Sequence, residues 1–424
     1  MTKKKRICLV SPGHVASNPR LVKEANALYA AGFQVRVVAG DYMAAIRSLD
    51  KTILSEVPWS WTQVGLGSRP SYLGRRLWQK LAQKVVSTGW IPHLSVATWA
   101  HNPMSTKLAK VAAEEPADLY IAHCLAALPA AAIASAQHNA KLGFDAEDFH
   151  TGELLETPEN QAEIRVRDRI ERTLLPRCQH LTAASPGIAT AYAKRYGVSM
   201  EPILNVFPLA EAPTTTGRQQ GDRVGLEPSL YWFSQTIGPG RGLESILHAM
   251  GQMQTPVRLH LRGIPFSGYS EQLMQLAQDV GVGDRLHFLP YAPPDQMVRL
   301  AAVHDVGLSL ELIQPINRAV CLTNKIFVYL LAGLPVLMSL TPAQQEFAKQ
   351  LGEAAMLVNI NDSAAVATAL DKLFSQPLKL EIARNQTWKL GQEIYNWDRE
   401  QLKFLTSVER GLQLKYPTST TRRK

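Results

Sequence analysis

The pattern of apolar and polar positions predicts two successive rounds of alternating strands and helices. Short apolar runs predict strands at residues 6–10, 33–39, 117–122, 142–144, 180–184 and 203–206, and then at 230–233, 257–261, 286–289, 306–310 and after Pro335. The segments between them carry apolar residues at helical spacing, as at residues 19–31. Strands that alternate with helices are typical of parallel sheets covered by helices, so we expect the α/β class. Residues 50–104 lack a clear period and are expected to be irregular.

Residues 308–338 contain the clearest pattern of a ligand site. An apolar run ends at Glu311, a polar loop follows, and Asn324 and Lys325 begin a helical run that Gly333 ends. This order predicts a βαβ unit. The start of its helix would lie at the carboxyl edge of the sheet, where open α/β sheets bind ligands and helix N-termini attract anions.

A change in composition predicts the domain boundary. Residues 209–228 are rich in Thr, Gly and Pro and have no hydrophobic period, so we expect a linker there. It separates an N-terminal domain, 1–208, from a C-terminal domain, 229–395. Residues 396–424 would form a C-terminal helix able to pack back on the N-terminal domain, followed by a basic tail.

Length agrees with a division into two domains, and charge limits the classes of binding partner. A chain of 424 residues with 46% hydrophobic content is too long for one ordinary core. The net charge is +9, and the first hundred residues hold 14 Lys and Arg against 4 Asp and Glu. Such a surplus attracts nucleic acid, anionic lipid or phosphorylated ligands, and charge alone does not choose among them.

One basic segment of the N-terminal domain has an amphipathic pattern. Residues 72–86 contain four basic residues and no acid. Five apolar residues fall along one helical face: Leu73, Leu77, Trp78, Leu81 and Val85. Such a helix can lie on an anionic membrane surface, or it can be an ordinary surface helix that covers the core with its apolar stripe.

The cysteines and the apolar runs indicate a cytoplasmic protein. The four cysteines have no metal-binding spacing and are expected to be buried or idle thiols. The apolar run near the N-terminus is too short for a signal peptide, and residues 326–338 are too few for a membrane span.

Candidate chemistry lies at the predicted strand ends and helix starts of the C-terminal domain. Arg241 stands in a glycine-rich loop whose N–H groups, with the guanidinium, suit a diphosphate. Gly263 would let the backbone pass close to a ligand. Glu311 offers a carboxylate for hydroxyl groups, and Asn324 with Lys325 adds donors and a positive charge. This set can stabilise a diphosphate leaving group without a metal, and no DxD motif follows the strands.

The N-terminal domain has polar groups at the matching positions. Gly13 follows the first strand, His123 ends a later one, and Asp145 and Glu147 follow the next. We expect these groups at one sheet edge, with Asp145 and Glu147 near an acceptor hydroxyl.

Several segments together resemble retaining glycosyltransferases of family four, which have the GT-B fold of two Rossmann-like domains facing a cleft. The segments are SPGHVASNPRLVKEANAL (11–28), DLYIAHCLAALP (118–129), FDAEDFH (144–150), LTAASPGIA (181–189), NVFP (205–208), GPGRGLESILHAM (238–250), HDVGLSLE (304–311) and LTNKIFVYLLAGLPVL (322–337). The resemblance implies that Gly13 faces the donor diphosphate and that His123 lies beside the transferred sugar. It also implies that Arg241 replaces the usual lysine and that Glu311 addresses the donor sugar.

Three positions depart from the family pattern. Gln235 stands where a basic residue is common, and Ala319 stands eight residues after Glu311, where a second glutamate is expected. Relatives with a longer loop have that glutamate in the position of Val328 here, where it holds the ribose of the nucleotide.

The expected function is transfer of a sugar, by a metal-independent, hexosyltransferase-like enzyme, from a nucleotide-diphosphate donor to a glycan or lipid-linked acceptor. Cell-envelope or exopolysaccharide synthesis is the expected setting, with no separate cofactor and no nucleic acid. The location would be the cytoplasm, including the inner face of the cell membrane. Two alternatives stay open: a non-catalytic binding or scaffold protein, because of Val328, and a sugar-nucleotide epimerase.

Overall fold

The computed structural model describes residues 4–89, 93–215 and 227–413. The chain forms two compact units, the first of Met1–Leu204 with Gln401–Lys424 and the second of Asn205–Glu400. Each has its own parallel sheet with helices, so the prediction of two Rossmann-like α/β domains is confirmed. The division falls just before the predicted linker.

Parts of three sequence predictions lie outside the described residues. They are the middle of the linker (216–226), Trp90 of the tryptophan-rich region, and the basic tail within 414–424.

The sheet of the first unit is built from parallel strands. Its described strands are, in order, Arg6–Ser11 (β1), Gln34–Asp41 (β2), Ser60–Gly65 (β3), Leu119–His123 (β4), Lys141–Ala146 (β5), His180–Ala183 (β6) and Glu201–Pro202 (β7). They are arranged β3-β2-β1-β4-β5-β6-β7, and every neighbouring pair is parallel. Strands β1, β4 and β5 are buried almost throughout, as a central parallel strand requires.

Helices cover this sheet, with short 3₁₀ turns between several elements. They are Pro19–Ala30 (α1), Arg47–Glu56 (α2), Arg69–Ser87 (α3), Leu94–His101 (α4), Ser105–Ala112 (α5), Leu128–Gln137 (α6), Gln161–Leu174 (α7) and Pro186–Tyr196 (α8). Helix α1 begins where the side chain of Asn18 accepts a hydrogen bond from the N–H of Leu21, and Pro19 takes the first helical position. This start places α1 directly after the loop that follows β1.

Two predictions for the first unit are wrong. Residues 50–104 are not irregular, because most of α2, all of β3, α3 and α4 lie within them. The tryptophans of this region do not mark a single buried face, because Trp59 is buried while Trp61 is exposed. They therefore do not contribute to a regular hydrophobic period. The strand predicted at residues 203–206 is absent, and β7 instead covers the two residues before it. Ile203 and Val206 are buried core residues in extended loop, which gives them the apolar pattern of a strand.

The second unit has a sheet of the same kind. Its described strands are Ser229–Ile237 (β8), Arg258–Pro265 (β9), Leu286–Leu289 (β10), Val306–Ser309 (β11), Val336–Ser339 (β12) and Ala355–Val358 (β13). Their order is β10-β9-β8-β11-β12-β13, again with parallel pairs. A core that includes Leu230, Trp232 and Leu261 packs on one face of this sheet.

The helices of the second unit follow the strands in alternation. They are Leu243–Met250 (α9), Tyr269–Asp279 (α10), Met297–Ala301 (α11), Ile316–Val320 (α12), Asn324–Ala332 (α13), Pro342–Ala348 (α14), Ser363–Phe374 (α15) and Pro377–Glu393 (α16). The predicted βαβ unit of residues 308–338 is β11-α13-β12, with α12 as an additional short helix in its loop.

The last described helix, Trp397–Gln413 (α17), belongs to the first unit from Gln401 onward. Phe404 packs edge-on against the ring of His180 at 5.9 Å between centroids. The hydroxyl of Ser407 lies 3.2 Å from Nδ1 of the same histidine. No helix within the described ranges is both long and apolar enough to cross a membrane.

Candidate active site

Glu311 and Lys325 meet at the carboxyl edge of the second sheet. Glu311 follows the end of β11, and Lys325 is the second residue of α13. The Nζ atom of Lys325 lies 3.7 Å from Oε1 of Glu311, and both side chains are buried. The structure therefore brings together two residues that the sequence suggested as ligands, and it shows them as an ion pair.

Burial makes the lysine sensitive to its neighbours. Burial lowers the pKa of Lys325, the charge of Glu311 opposes this, and the positive charge of Arg241 lowers the pKa further. The charge of Arg241 thus acts on Lys325. Nζ of Lys325 also lies 5.4 Å from the ring centre of Trp232, a distance suited to a cation–π contact. Trp232 was not predicted as part of the site, because its sequence context is that of an ordinary strand residue.

Arg241 is held in a tight loop between two glycines. Gly240 and Gly242 have φ angles of +70° and +71°, a region that favours glycine. Gly242 immediately precedes α9, so Arg241 lies at a helix start as predicted. The guanidinium of Arg318, on α12, donates a hydrogen bond to the carbonyl of Gly240. Sequence reasoning missed Arg318, because the short helix that places it was not recognised.

The start of α13 is open to solvent. Asn324 is its first residue and is exposed. The preceding residue, Thr323, provides no side-chain cap; its hydroxyl instead lies 3.3 Å from that of Ser309. A helix start without a capping side chain offers its N–H groups to an anion.

Gly263 has a different role from the one predicted. It is buried, its φ is +147°, and a Cβ atom there would lie 2.3 Å from the carbonyl oxygen of Ser234. The glycine is therefore required by the close approach of β8, where the pairing with β9 shifts register. The backbone that passes close to Gly263 is that of the neighbouring strand β8.

In the first unit, His123 ends β4 and is completely buried. Nδ1 lies 3.2 Å from Oε1 of Glu147, and Nε2 lies 3.5 Å from Oε2 of Glu24. Burial lowers the pKa of His123, but the hydrogen bond to Glu147 and the charges of Glu24 and Asp145 outweigh it, so the pKa is raised. Both ring nitrogens thus face carboxylates of the protein.

Asp145 is an internal anchor. It is fully buried, and its two oxygens accept hydrogen bonds from Nε and Nη2 of Arg20 at 2.6 and 2.7 Å. The hydroxyl of Thr182 donates a third, at 2.6 Å. Burial by itself would raise the pKa of Asp145, but Arg20 holds it well below its usual range. Of the two acceptor-binding candidates, only Glu147 is placed to reach a ligand.

Glu147 lies at the sheet edge with its side chain partly exposed. Its Oε1 accepts a hydrogen bond of 2.5 Å from Nδ2 of Asn18, in addition to the contact with His123. The residues around it come from three places in the chain: the start of α1, the end of β4 and the end of β5. Of these, only Asn18 was missed as a partner, since it looks like a plain helix cap in the sequence.

A comparison with family models finds a match to the N-terminal part of the chain. Residues 17–207 match the glycosyl transferase 4-like domain family. The chain has the two-domain fold of GT-B glycosyltransferases. No curated protein matches the sequence.

Solved structures share the fold of this chain over nearly its whole length. HepE from Anabaena, solved with UDP-glucose, is 18% identical with a TM-score of 0.69, over 95% of this chain and 99% of HepE. Sucrose-phosphate synthase from Thermosynechococcus elongatus is 16% identical with a TM-score of 0.70, over 96% and 99%. The UDP-forming α,α-trehalose-phosphate synthase from Burkholderia vietnamiensis is 14% identical with a TM-score of 0.64, over 97% and 98%.

The three positions that depart from the family pattern have different surroundings in the structure. Val328 is fully buried inside α13, whose residues from Lys325 to Ala332 are all buried. Ala319 is buried on α12, and Gln235 is exposed on β8. A carboxylate at position 328 would be buried among apolar residues of α13. In this chain Val328 packs in the core instead.

Glu24 is another buried residue, near His123 and Asp145, that the sequence did not indicate. Its carboxylate is fully buried, and neither oxygen has a hydrogen-bond partner among the described residues. The nearest cation is Nε of Arg20, at 3.2 Å. Burial, with the charge of Asp145, raises the pKa of Glu24. The signal in the sequence is its place on α1, four residues after Arg20, on a face that otherwise carries core residues.

The ligand atoms of Glu24, His123 and Asp145 lie within 4.8 Å of one another, as metal ligands would. However, the guanidinium of Arg20 already binds both oxygens of Asp145 and lies beside Glu24. A metal ion there would sit against a fixed positive charge. The cluster therefore fits an arginine-centred charge network better than a metal site.

Gly13 lies in the loop after β1, beside a buried histidine. Nδ1 of His14 is 2.6 Å from Oδ2 of Asp50, and Nε2 accepts the N–H groups of Tyr42 and Met43 at 3.0 and 2.8 Å. Because Nε2 accepts, Nδ1 carries the proton that is donated to Asp50. This histidine fixes the loop that presents Gly13, a role the sequence did not indicate.

Proposed function

We propose that this protein is a retaining glycosyltransferase that moves a hexose from a nucleotide-diphosphate donor to a glycan or lipid-linked acceptor. The observation that carries the proposal is the buried pair of Glu311 and Lys325, with Arg241 close by, at the carboxyl edge of the second sheet. Nucleotides bind at this edge in open α/β sheets. HepE, which shares the fold, has been solved with UDP-glucose, which supports a UDP-sugar donor.

The proposed reaction requires stabilisation of the diphosphate leaving group. When the bond between the anomeric carbon and the diphosphate breaks, the electron pair and the negative charge go to the diphosphate. Lys325, Arg241 and the uncapped start of α13 would stabilise that charge, so we propose that no metal ion is needed. Glu311 would accept hydrogen bonds from hydroxyls of the donor sugar. No residue is assigned as a protein nucleophile.

The acceptor is assigned to the first unit. Glu147, partly exposed and held by Asn18 and His123, would accept a hydrogen bond from the acceptor hydroxyl that attacks the anomeric carbon. His123 would act through Glu147, because its own ring is buried. We place the reaction in envelope or exopolysaccharide synthesis, in the cytoplasm at the inner face of the cell membrane, where lipid-linked acceptors are presented.

A second candidate is a donor-binding protein without turnover. The observation that favours it is Val328, buried where relatives hold the ribose with a glutamate. This candidate predicts binding of a nucleotide sugar with no release of nucleoside diphosphate, either with or without acceptors.

Calorimetric titration with UDP-, GDP- and ADP-sugars, followed by detection of released nucleoside diphosphate, tests the proposal. We expect one donor to bind and to be hydrolysed slowly in the absence of acceptor. Arg241→Ala should weaken binding about tenfold or more, since a charged hydrogen bond to the diphosphate is lost. The exposed Arg299→Ala is the matched control in the same unit. Absence of binding at millimolar donor contradicts both candidates, and equal affinity of Arg241→Ala removes the diphosphate assignment.

A further inference from the structure

Helix α3 turns its apolar stripe toward solvent. Five large side chains on this helix are between 43% and 63% exposed: Leu73, Leu77, Trp78, Leu81 and Val85. The residues that α3 buries are instead Gln79, Ala82 and Val86. The stripe therefore does not cover the core of the first unit, which was one of the two interpretations of the sequence.

Basic side chains adjoin the exposed stripe. Successive helical residues are rotated by about 100°, so Lys80 and Lys84 fall beside Leu73 and Leu77 on the helix surface. Arg69 and Arg76 follow on the same side, and all four are exposed. No Asp or Glu occurs in Arg69–Ser87. The helix thus has three sectors: a buried one, an apolar one and a basic one.

We propose that this surface, formed by the apolar and basic sectors of α3, binds an anionic lipid membrane with the helix lying parallel to the membrane plane. Four basic groups complement phosphate headgroups, while Trp78 and the leucines enter the boundary between headgroups and acyl chains. The helix has 19 residues and is about 28 Å long, so the apolar stripe can lie along the boundary over its whole length.

The charge pattern selects lipid over a second copy of the chain. A symmetric contact between two α3 helices would bring the basic sectors of both copies together without an acid on the helix to pair with them. A membrane rich in anionic lipid supplies both the apolar environment and the opposite charge. Helix α3 belongs to the first unit, whereas Arg241, Glu311 and Lys325, which carry the proposed function, lie in the second.

Co-sedimentation with vesicles tests the surface directly and needs no donor. The full chain is mixed with vesicles of phosphatidylcholine alone, or of equal parts phosphatidylcholine and phosphatidylglycerol. We expect binding to the mixed vesicles at low salt, loss of binding at high salt, and little binding to phosphatidylcholine. Equal binding to both kinds of vesicle, or no binding at low salt, overturns the proposal.

Variants locate the contact. Lys80→Glu with Lys84→Glu should lower vesicle affinity at least about 30-fold, and Leu77→Ser with Trp78→Ser about tenfold or more. The matched controls lie in the second unit: the exposed pair Lys372→Glu with Lys389→Glu, and Leu378→Ser with Ile382→Ser on α16, where Leu378 is 77% exposed. Controls should bind like the wild type. If controls and α3 variants lose affinity equally, the assignment to α3 is wrong.

Two further measurements separate the remaining explanations. Thermal unfolding of the α3 variants should match that of the wild type, because the changed side chains are exposed. Sedimentation velocity without lipid should show that Leu77→Ser has no effect on self-association. If the wild type self-associates and Leu77→Ser abolishes that association, the surface binds a second copy of the chain and the proposal is overturned. Donor titration of the same variants should be unchanged, so failure here and failure of the proposed function are distinguishable.

Discussion

Oε2 of Glu24 lies 3.5 Å from Nε2 of His123, and both side chains are completely removed from solvent. On the other side of the ring, Nδ1 faces Glu147. Neither oxygen of Glu24 has a hydrogen-bond partner among the described residues, so Glu24 and His123 interact through their charges and not through a hydrogen bond. The imidazole of His123 therefore lies between a buried carboxylate, Glu24, and a partly exposed one, Glu147.

The first prediction concerns the pH dependence of stability. Burial and the charge of Asp145 raise the pKa of Glu24 to about 8, above the value of an unfolded glutamate. A raised pKa in the folded state stabilises the protein fully below the unfolded pKa, and this contribution is lost as pH rises from about 4.5 through 8. The free energy of unfolding of the wild type should fall over this pH window. In Glu24→Gln it should fall by roughly 1–3 kcal/mol less, as measured by urea unfolding at several pH values.

The exposed Glu56→Gln in the same unit is the control for the change in charge. It should leave the pH dependence unchanged. If the stability of Glu24→Gln falls with pH as steeply as that of the wild type does, the carboxylate of Glu24 does not titrate in this window and the prediction is wrong.

The second prediction separates folding from donor binding at Lys325. Lys325→Met leaves Glu311 buried without its cation, so the free energy of unfolding in urea should fall by about 3 kcal/mol. Adding Glu311→Gln removes the unpaired charge and should restore most of that stability. Donor affinity, measured by calorimetry, should stay low in the double variant, because the cation for the diphosphate is still absent. Recovery of donor affinity with stability would mean that the pair is only structural.

The sequence predicts the strands and helices around the sites better than it predicts the contacts within them. The motif around Glu311 and Lys325 is local, so a strand end and a helix start suffice to place both at one edge. The pairing of Arg20 with Asp145 joins residues 125 positions apart, and no local period encodes such a contact. Asp145 consequently has the sequence pattern of an acceptor ligand although it is an internal anchor.

Solvent exposure of α3 could not be predicted for a related reason. A helical apolar stripe normally marks the face that packs on the core. Here the core contacts are made by small and polar residues, Ala82 and Gln79, which have no distinctive pattern. The direction in which Leu77 and Trp78 point depends on how α3 lies on α4 and α7, and that information is tertiary.

The third prediction tests the approach of the donor to Gly13. A Cβ atom at this position would have Tyr42 as its nearest neighbour, 3.5 Å from the hydroxyl oxygen, which is an ordinary contact. Gly13→Ala should therefore fold with nearly normal stability. If a diphosphate packs against Gly13, as family resemblance implies, donor affinity should fall about tenfold or more in calorimetry. Gly65→Ala, which has similar room near β3, is the control. Unchanged affinity in Gly13→Ala would remove Gly13 from the donor site.

A column of rings crosses the second sheet and contains three buried or partly buried histidines. The ring of His260 stacks on His287 at 4.9 Å and lies 4.8 Å from His304, which in turn stacks on Tyr231 at 4.4 Å. Arg262 donates a hydrogen bond to the hydroxyl of Tyr231, at the same end of the column. Burial and the neighbouring positive charges make a proton on His260 or His304 unfavourable.

The last prediction is that the second unit loses stability in mild acid. Burial, followed by the charges of neighbouring histidines and arginines, lowers the pKa of His260 to about 4 and of His304 to about 3. A lowered pKa in the folded state stabilises the protein above the unfolded value of about 6.5, and the contribution is lost as pH falls toward 4. His304→Phe keeps the stacking on Tyr231 and cannot be protonated, so it should lessen the acid-induced fall in Tm. The exposed His248→Phe, on α9, is the control and should follow the wild type. If the two variants lose Tm equally between pH 6.5 and 4, protonation of the column does not drive acid unfolding.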